Sequence, residues 1–195
     1  MPNPYTDPDY PDAVFVEEFD DTPSGWMVSE TGSGSYVRYE HQGLRIYINE
    51  ENYTYFSRSP FEANNVVITV EALTLGGPDN NAFGVICRFQ DADNYYAFLI
   101  SSDGYYGIVR VEDSNYTILS GDTMDYSDVI NQGPGQNWLQ AECNGPILSL
   151  SANGEDLVSV IDTTFPEGGL GVMAVSYSDT GVDILFDNYS LVLPE

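Results

Sequence analysis

Two strand-like runs carry side chains of the kind that recognise sugars. In Ala82–Gln90 the alternate positions Arg88 and Gln90 share a side, and in Trp138–Cys143 so do Trp138, Gln140 and Glu142, because successive side chains of a strand point to opposite faces. A sugar ring offers one apolar face and an equatorial belt of hydroxyls. An aromatic platform beside planar amide, guanidinium and carboxylate groups is the chemistry that holds it. Tyr95, Tyr96, Tyr105 and Tyr106 extend such a surface at strand ends, with Tyr96 and Tyr106 as candidate contacts. Tyrosine is also a favoured strand residue, so many of the 15 serve cross-strand packing alone. If Cys87 and Cys143 face each other, these polar sets are expected on the opposite face of one sheet.

Other chemistries find less support. His41 is the single histidine and stands beside a turn, without a nucleophile elbow to complete a serine triad. No glycine loop for phosphate occurs. Two cysteines 56 positions apart with one histidine do not make a zinc site. Asp91-Ala92-Asp93-Asn94 and Asp79-Asn80-Asn81 lack the remaining ligands of a calcium loop and read as turns. Glu142 near Arg88 is an acid/base candidate whose plainer reading is a surface salt bridge.

The elements that must position these residues are short strands. Val14–Phe19, Tyr36–Glu40, Leu44–Ile48, Tyr53–Ser57 and Val66–Leu75 lead into the runs Ala82–Gln90, Asn94–Ser101 and Tyr105–Val111. Tyr116–Leu119, Trp138–Cys143, Ile147–Ala152, Leu157–Ile161, Leu170–Tyr177 and Val182–Val192 follow. Asp103-Gly104, Asn144-Gly145 and Asn153-Gly154 favour the positive-φ hairpin turns that match strand twist. Only Met124–Gln132 admits a short helical turn. The pattern predicts an all-β sandwich or barrel.

The 195 residues fit one domain, or one domain plus a tail. Residues 1–12, with four prolines and three aspartates, read as an extended tail or linker, and 13–195 as the domain. The chain carries 31 acidic and five basic residues, net −26, and all five basic residues are arginines. That excludes nucleic acid and anionic membrane surfaces, where basic side chains must replace counterions. It fits solubility in salty surroundings, or carboxylates partly neutralised by divalent cations. No apolar run is long enough to span a membrane, and the first residues do not read as a signal peptide.

The segments AFGVICRFQDADNYYAFLISSDGYYGIVR, NWLQAECNGPILSLSANG, FPEGGLGVMA and VDILFDNYSLVLP, taken in order, resemble a concanavalin A-like lectin/glucanase domain. More closely, they are similar to the LamG-like domains, related to keto-disaccharide hydrolase-like domains, of bacterial secreted and surface proteins. The resemblance covers about residues 13–194. It implies a two-sheet antiparallel jelly roll with a curved, often sugar-binding concave sheet. It implies a Cys87–Cys143 disulfide, and hence an oxidising compartment, against the alternative of two buried thiols. By the same resemblance a structural Ca²⁺ falls to Asp20 and Asp187, with Glu18 beside them, where first and last strands meet; the plainer role for the aspartates is to accept backbone hydrogen bonds. The family 16 glycosidase pattern Glu-x-Asp-x-x-Glu is missing, Glu18-Phe19-Asp20 being the nearest match.

The expectation is therefore a non-catalytic, extracellular or surface-displayed module that binds a polysaccharide or glycan on its concave sheet. The second reading is a structural or adhesive subunit that self-associates or joins other surface proteins. A glycoside-processing enzyme comes third.

Overall fold

The computed structural model describes residues 13–20 and 24–194. The tail 1–12 and part of the turn at 22–25 lie outside the described residues. Alternating and continuous apolar runs form sixteen strands: β1 (Phe15–Glu17), β2 (Ser29–Glu30), β3 (Tyr36–Tyr39), β4 (Leu44–Ile48), β5 (Thr54–Glu62), β6 (Val66–Gly76), β7 (Asn81–Asp91) and β8 (Asn94–Ile100). The second half adds β9 (Tyr105–Glu112), β10 (Asn115–Ile118), β11 (Asp125–Tyr126), β12 (Gly135–Asn144), β13 (Ile147–Ala152), β14 (Glu155–Ile161), β15 (Gly169–Ser176) and β16 (Val182–Val192). No helix occurs among the described residues: where a helical turn was expected at Met124–Gln132, Asp125 and Tyr126 instead pair with Tyr106 and Tyr105 as β11.

The strands form two antiparallel sheets. One has nine strands, in the order β14-β13-β12-β6-β16-β4-β3-β2 with β1 also on β16. The other has seven, in the order β10-β9-β8-β7-β15-β5 with β11 also on β9. The strand order is the jelly roll's: chain neighbours pair in hairpins, while long connections bring β16 between β4 and β6 and β15 between β5 and β7.

The inner faces meet in one core. Leu44, Ile46, Ile68, Val70, Leu139, Ala141 and Ile184 come from the nine-stranded sheet, and Phe83, Val85, Tyr96, Phe98, Ile108 and Val172 from the other. Removing such apolar surface from water is the main driving force for the sandwich. The Cys87–Cys143 disulfide forms across this core, joining β7 of one sheet to β12 of the other, with Cα atoms 6.9 Å apart.

That crossing corrects one expectation. The cysteines do face each other, but between two sheets. The side chains opposite them therefore point away from each other, to the two outsides of the sandwich.

A second apolar cluster lies on the outer face of the seven-stranded sheet: Ala82, Ile86, Phe89, Tyr95, Ala97, Leu99, Val109, Val111 and Met173. This is why Asn94–Ile100 reads as a continuous apolar run: both faces of its strand are covered.

Candidate functional site

The five polar residues expected on one face are dispersed. Arg88 has φ of 52° at a break in register between β7 and β8, which ends the regular alternation. Its side chain is 2% exposed and turns to the end of the sandwich. There it donates to three backbone carbonyls: Gly145 at 2.6 Å, Phe165 at 2.9 Å and Asn64 at 3.3 Å. It ties three loops together and forms no pair with Glu142. The same break sends Phe89, which strict alternation along β7 would place with Phe83 and Val85, to the outer cluster. Gln90 donates to the carbonyl of Glu167.

Trp138, Gln140 and Glu142 lie on the nine-stranded sheet, whose partners for them are Glu71, Thr69 and Val67. Trp138 is 4% exposed and offers no stacking face. Gln140 and Glu142 line a polar groove with Ser149, Ser151, Asp156 and Ser159. The lining groups satisfy one another, Ser149 with Ser159 and Ser151 with Asp156, both at 2.9 Å.

Tyr96 and Tyr106 point inward. Tyr96 is fully buried; its hydroxyl donates to Asp162 and accepts from the Phe165 amide at 3.0 Å. Burial and the Asp162 carboxylate push its pKa up to about 12. Arg110 pairs with the other Asp162 oxygen at 2.7 Å, so this network fastens the segment after β14 onto β8 and β9. Tyr106 reaches the Leu157 carbonyl at 3.4 Å. The expected tyrosine surface had the wrong parity: Tyr95 and Tyr105, one residue earlier on each strand, face outward.

The metal candidates stand near one another. Asp187 has its carboxyl pKa raised by burial first, then by Glu71, Glu18 and Asp20, against a lowering hydrogen bond from the Asn188 amide. Asn188 also donates to Glu71 at 2.8 Å. Among the described residues, no group of three or more His, Cys, Asp or Glu side chains converges as a metal shell would.

A second groove, of about 330 Å³ against about 400 Å³ for the polar one, lies on the outer face of the seven-stranded sheet. That is at the small-ligand end of binding clefts. Its floor is aliphatic, with Ala97 and Leu99 from β8, Val109 and Val111 from β9, and Met173 and Val175 from β15. Its rim is polar and aromatic. Asn52, Thr54, Ser176 and Tyr177 stand on one side and Tyr116 on the other, while Tyr95 is buried in the wall. Tyr116 is 65% exposed and Tyr177 36%. Burial raises the pKa of both Tyr95 and Tyr177. Tyr116 adds to each shift, as neighbouring charge and hydrogen-bond partner for Tyr95 and, after Asp103, as a neighbouring charge for Tyr177, so its ring lies close to both.

Small residues shape this groove. Gly107 lies beside Leu99 in the sheet, and a Cβ there would meet Ser120 Oγ at 3.1 Å and Met124 Cγ at 3.4 Å. Its bare backbone lets Met124 close one end. Gly84, between Leu99 and Met173, has φ of 157°, and a Cβ would lie 2.0 Å from the Phe98 carbonyl oxygen. Glycine is needed there for that approach. One sequence signal could have found the groove: NYYAFLI has two apolar faces, and the sandwich core can cover only one.

No family model matches the chain, and no curated protein matches it. Solved structures do. The carbohydrate binding module CBM66 from Bacillus subtilis superposes with a TM-score of 0.64 at 14% identity, covering 86% of this chain and 95% of that one. A Bacillus subtilis protein of unknown function with a galectin-like fold gives 0.66 at 8% identity, with 93% and 96% covered. The Bacillus licheniformis β-glucanase gives 0.65 at 8% identity, with 92% and 98% covered. At such identities the likeness speaks to architecture, and the two sheets, their order and the inter-sheet core agree with it: the chain has the concanavalin A-like jelly-roll fold.

Proposed function

We propose that the protein is a non-catalytic extracellular module that binds a glycan in the tyrosine-rimmed groove of its seven-stranded sheet. The observation that carries this reading is the groove itself: the exposed Tyr116 ring, the part-exposed Tyr177 ring and the Asn52 amide stand over an apolar floor. Aromatic faces stack on sugar rings while hydroxyl and amide groups meet the equatorial hydroxyls. Among the described residues no Asp or Glu lines the groove, whereas glycoside hydrolysis by this kind of chemistry uses a pair of carboxylates about 5–9.5 Å apart. The likeness to CBM66 and to a galectin-like fold supports the binding role, and the disulfide supports an oxidising, extracellular setting. The β-glucanase likeness makes release of reducing sugar a necessary control.

A glycan array carrying neutral and acidic polysaccharides tests the reading. Binding by the wild type that Tyr116→Ala weakens about tenfold supports it, and a blank array removes it. The aliphatic floor also favours a second reading, a joining module whose groove is covered by another copy or another surface protein. Mass that grows with concentration in light scattering, reversed by Tyr116→Ala, would support that instead. A structural calcium at Glu18, Asp20 and Asp187 belongs to the same proposal: the neighbouring carboxylates that raise the Asp187 pKa mark a place where a cation would be favoured. Added Ca²⁺ then raises the Tm of the wild type and leaves Asp187→Asn unmoved. A Tm indifferent to Ca²⁺ and EGTA rejects the metal.

A further inference from the structure

We propose that the groove selects uncharged glycans whose sugars carry methyl groups, as acetyl substituents or 6-deoxy positions. This rests on the glycan reading above and narrows it.

The first step is charge. Lysine is absent, so five arginines are all the permanent cations the side chains offer. Arg38 pairs with Glu40 at 2.9 Å, and Arg45 with Asp183 at 2.6 Å and Glu40 at 2.8 Å. Arg110 pairs with Asp162, and Arg88 is consumed by backbone carbonyls. Arg58 lies near Glu62 and over the Phe89 ring. None of the five lines the groove. A uronate, sialate or sulfate would have to leave water without a cationic partner, on a protein of net charge −26. The ligand is therefore uncharged.

The second step is the floor. Leu99, Val109, Val111, Met173 and Val175 present no hydrogen-bonding group. A hydroxyl pressed onto them loses its water and gains nothing, which is costly for a polar group. The polar atoms stand only at the rim, where hydroxyls further out can reach them. The part of the ligand that enters deepest must then lack a donor and present carbon. A methyl group does so, and methionine adapts to its shape.

The experiment titrates the full chain with partially O-acetylated glucomannan and with the same preparation after mild alkaline deacetylation. Both polymers are uncharged and share a backbone. The acetylated form is expected to bind about tenfold more tightly, equivalent to about 1.4 kcal/mol, with little change between low and high salt. Val109→Thr, nearly the same shape, is expected to narrow that ratio when measured well below the unfolding transition, since the buried hydroxyl also lowers Tm. Equal affinity, or tighter binding of the deacetylated polymer, overturns the methyl selection and leaves the glycan reading intact. Binding to neither polymer, with array hits confined to glycans without methyl groups, also overturns it. Binding to neither with a blank array overturns the glycan reading itself.

Discussion

Arg88→Met tests the reassignment of the residue that the sequence placed on a ligand face. Methionine keeps much of the apolar stem and removes the guanidinium, so the carbonyls of Gly145, Phe165 and Asn64 lose their donor together. Hydrogen bonds to a charged group contribute about 1.5–3 kcal/mol each, and the Phe165 bond is buried, where water cannot replace it. Against this stands the cost of keeping a cation out of water, which lowers the Arg88 pKa. Its hydrogen-bond partners among the described residues are neutral carbonyls. Such desolvation recovers part of the loss when the charge is removed. A net destabilisation of about 3 kcal/mol is expected, which for a chain of this size lowers Tm by about 6–12 °C. The assay is thermal unfolding followed by circular dichroism, paired with glycan affinity measured well below the transition. Glycan affinity of the folded variant should equal that of the wild type. A Tm within about 2 °C of wild type, or a loss of affinity at intact fold, would refute the assignment of Arg88 as a loop clamp.

Other expectations follow from the same geometry. Reducing Cys87–Cys143, which closes a loop of 56 residues, should cost about 4 kcal/mol by the chain-entropy account, read as a shift in the denaturant midpoint; a thiol assay on the denatured, unreduced protein should find no free thiol. Tyr116→Ala should weaken glycan binding by about tenfold at unchanged Tm, since its ring is mostly exposed and stacking of this kind is worth about 1–1.5 kcal/mol. Trp138→Ala should do the reverse, losing about 3–5 kcal/mol of stability with binding intact in the folded fraction. Asp187 has a raised pKa in the fold, so the native state holds its proton more tightly than the unfolded chain, and stability is lost as pH rises through the folded value. In calcium-free buffer Asp187→Asn should therefore melt above the wild type at neutral pH, with the gap closing below pH of about 4. A gap that stays constant across that range would count against the carboxylate repulsion.

The sequence by itself determined the all-β class, most strand positions and the hairpins, because those depend on local alternation and on turn residues such as Asn153-Gly154, where both residues adopt positive φ. Its net charge of −26 also argues against nucleic acid and anionic membrane surfaces as partners. What it could not determine was which sheet each strand joins. Alternation divides a strand into two faces, but β7 and β12 meet only through long-range pairing, and their cysteines turned out to span the core between sheets. A single positive φ at Arg88 then broke the parity of β7, moving Phe89 outward and carrying the arginine inside. On β8 the choice between Tyr95 and Tyr96 was likewise open, because both faces of that strand are apolar and local pattern does not say which is core. The groove is assembled from β5, β8, β9, β10 and β15, with lining residues from Asn52 to Tyr177 that no window of sequence brings together. Tertiary packing alone decided that the outer groove carries Tyr116 and Tyr177 over aliphatic side chains, that Arg88 clamps loops and that Trp138 is buried.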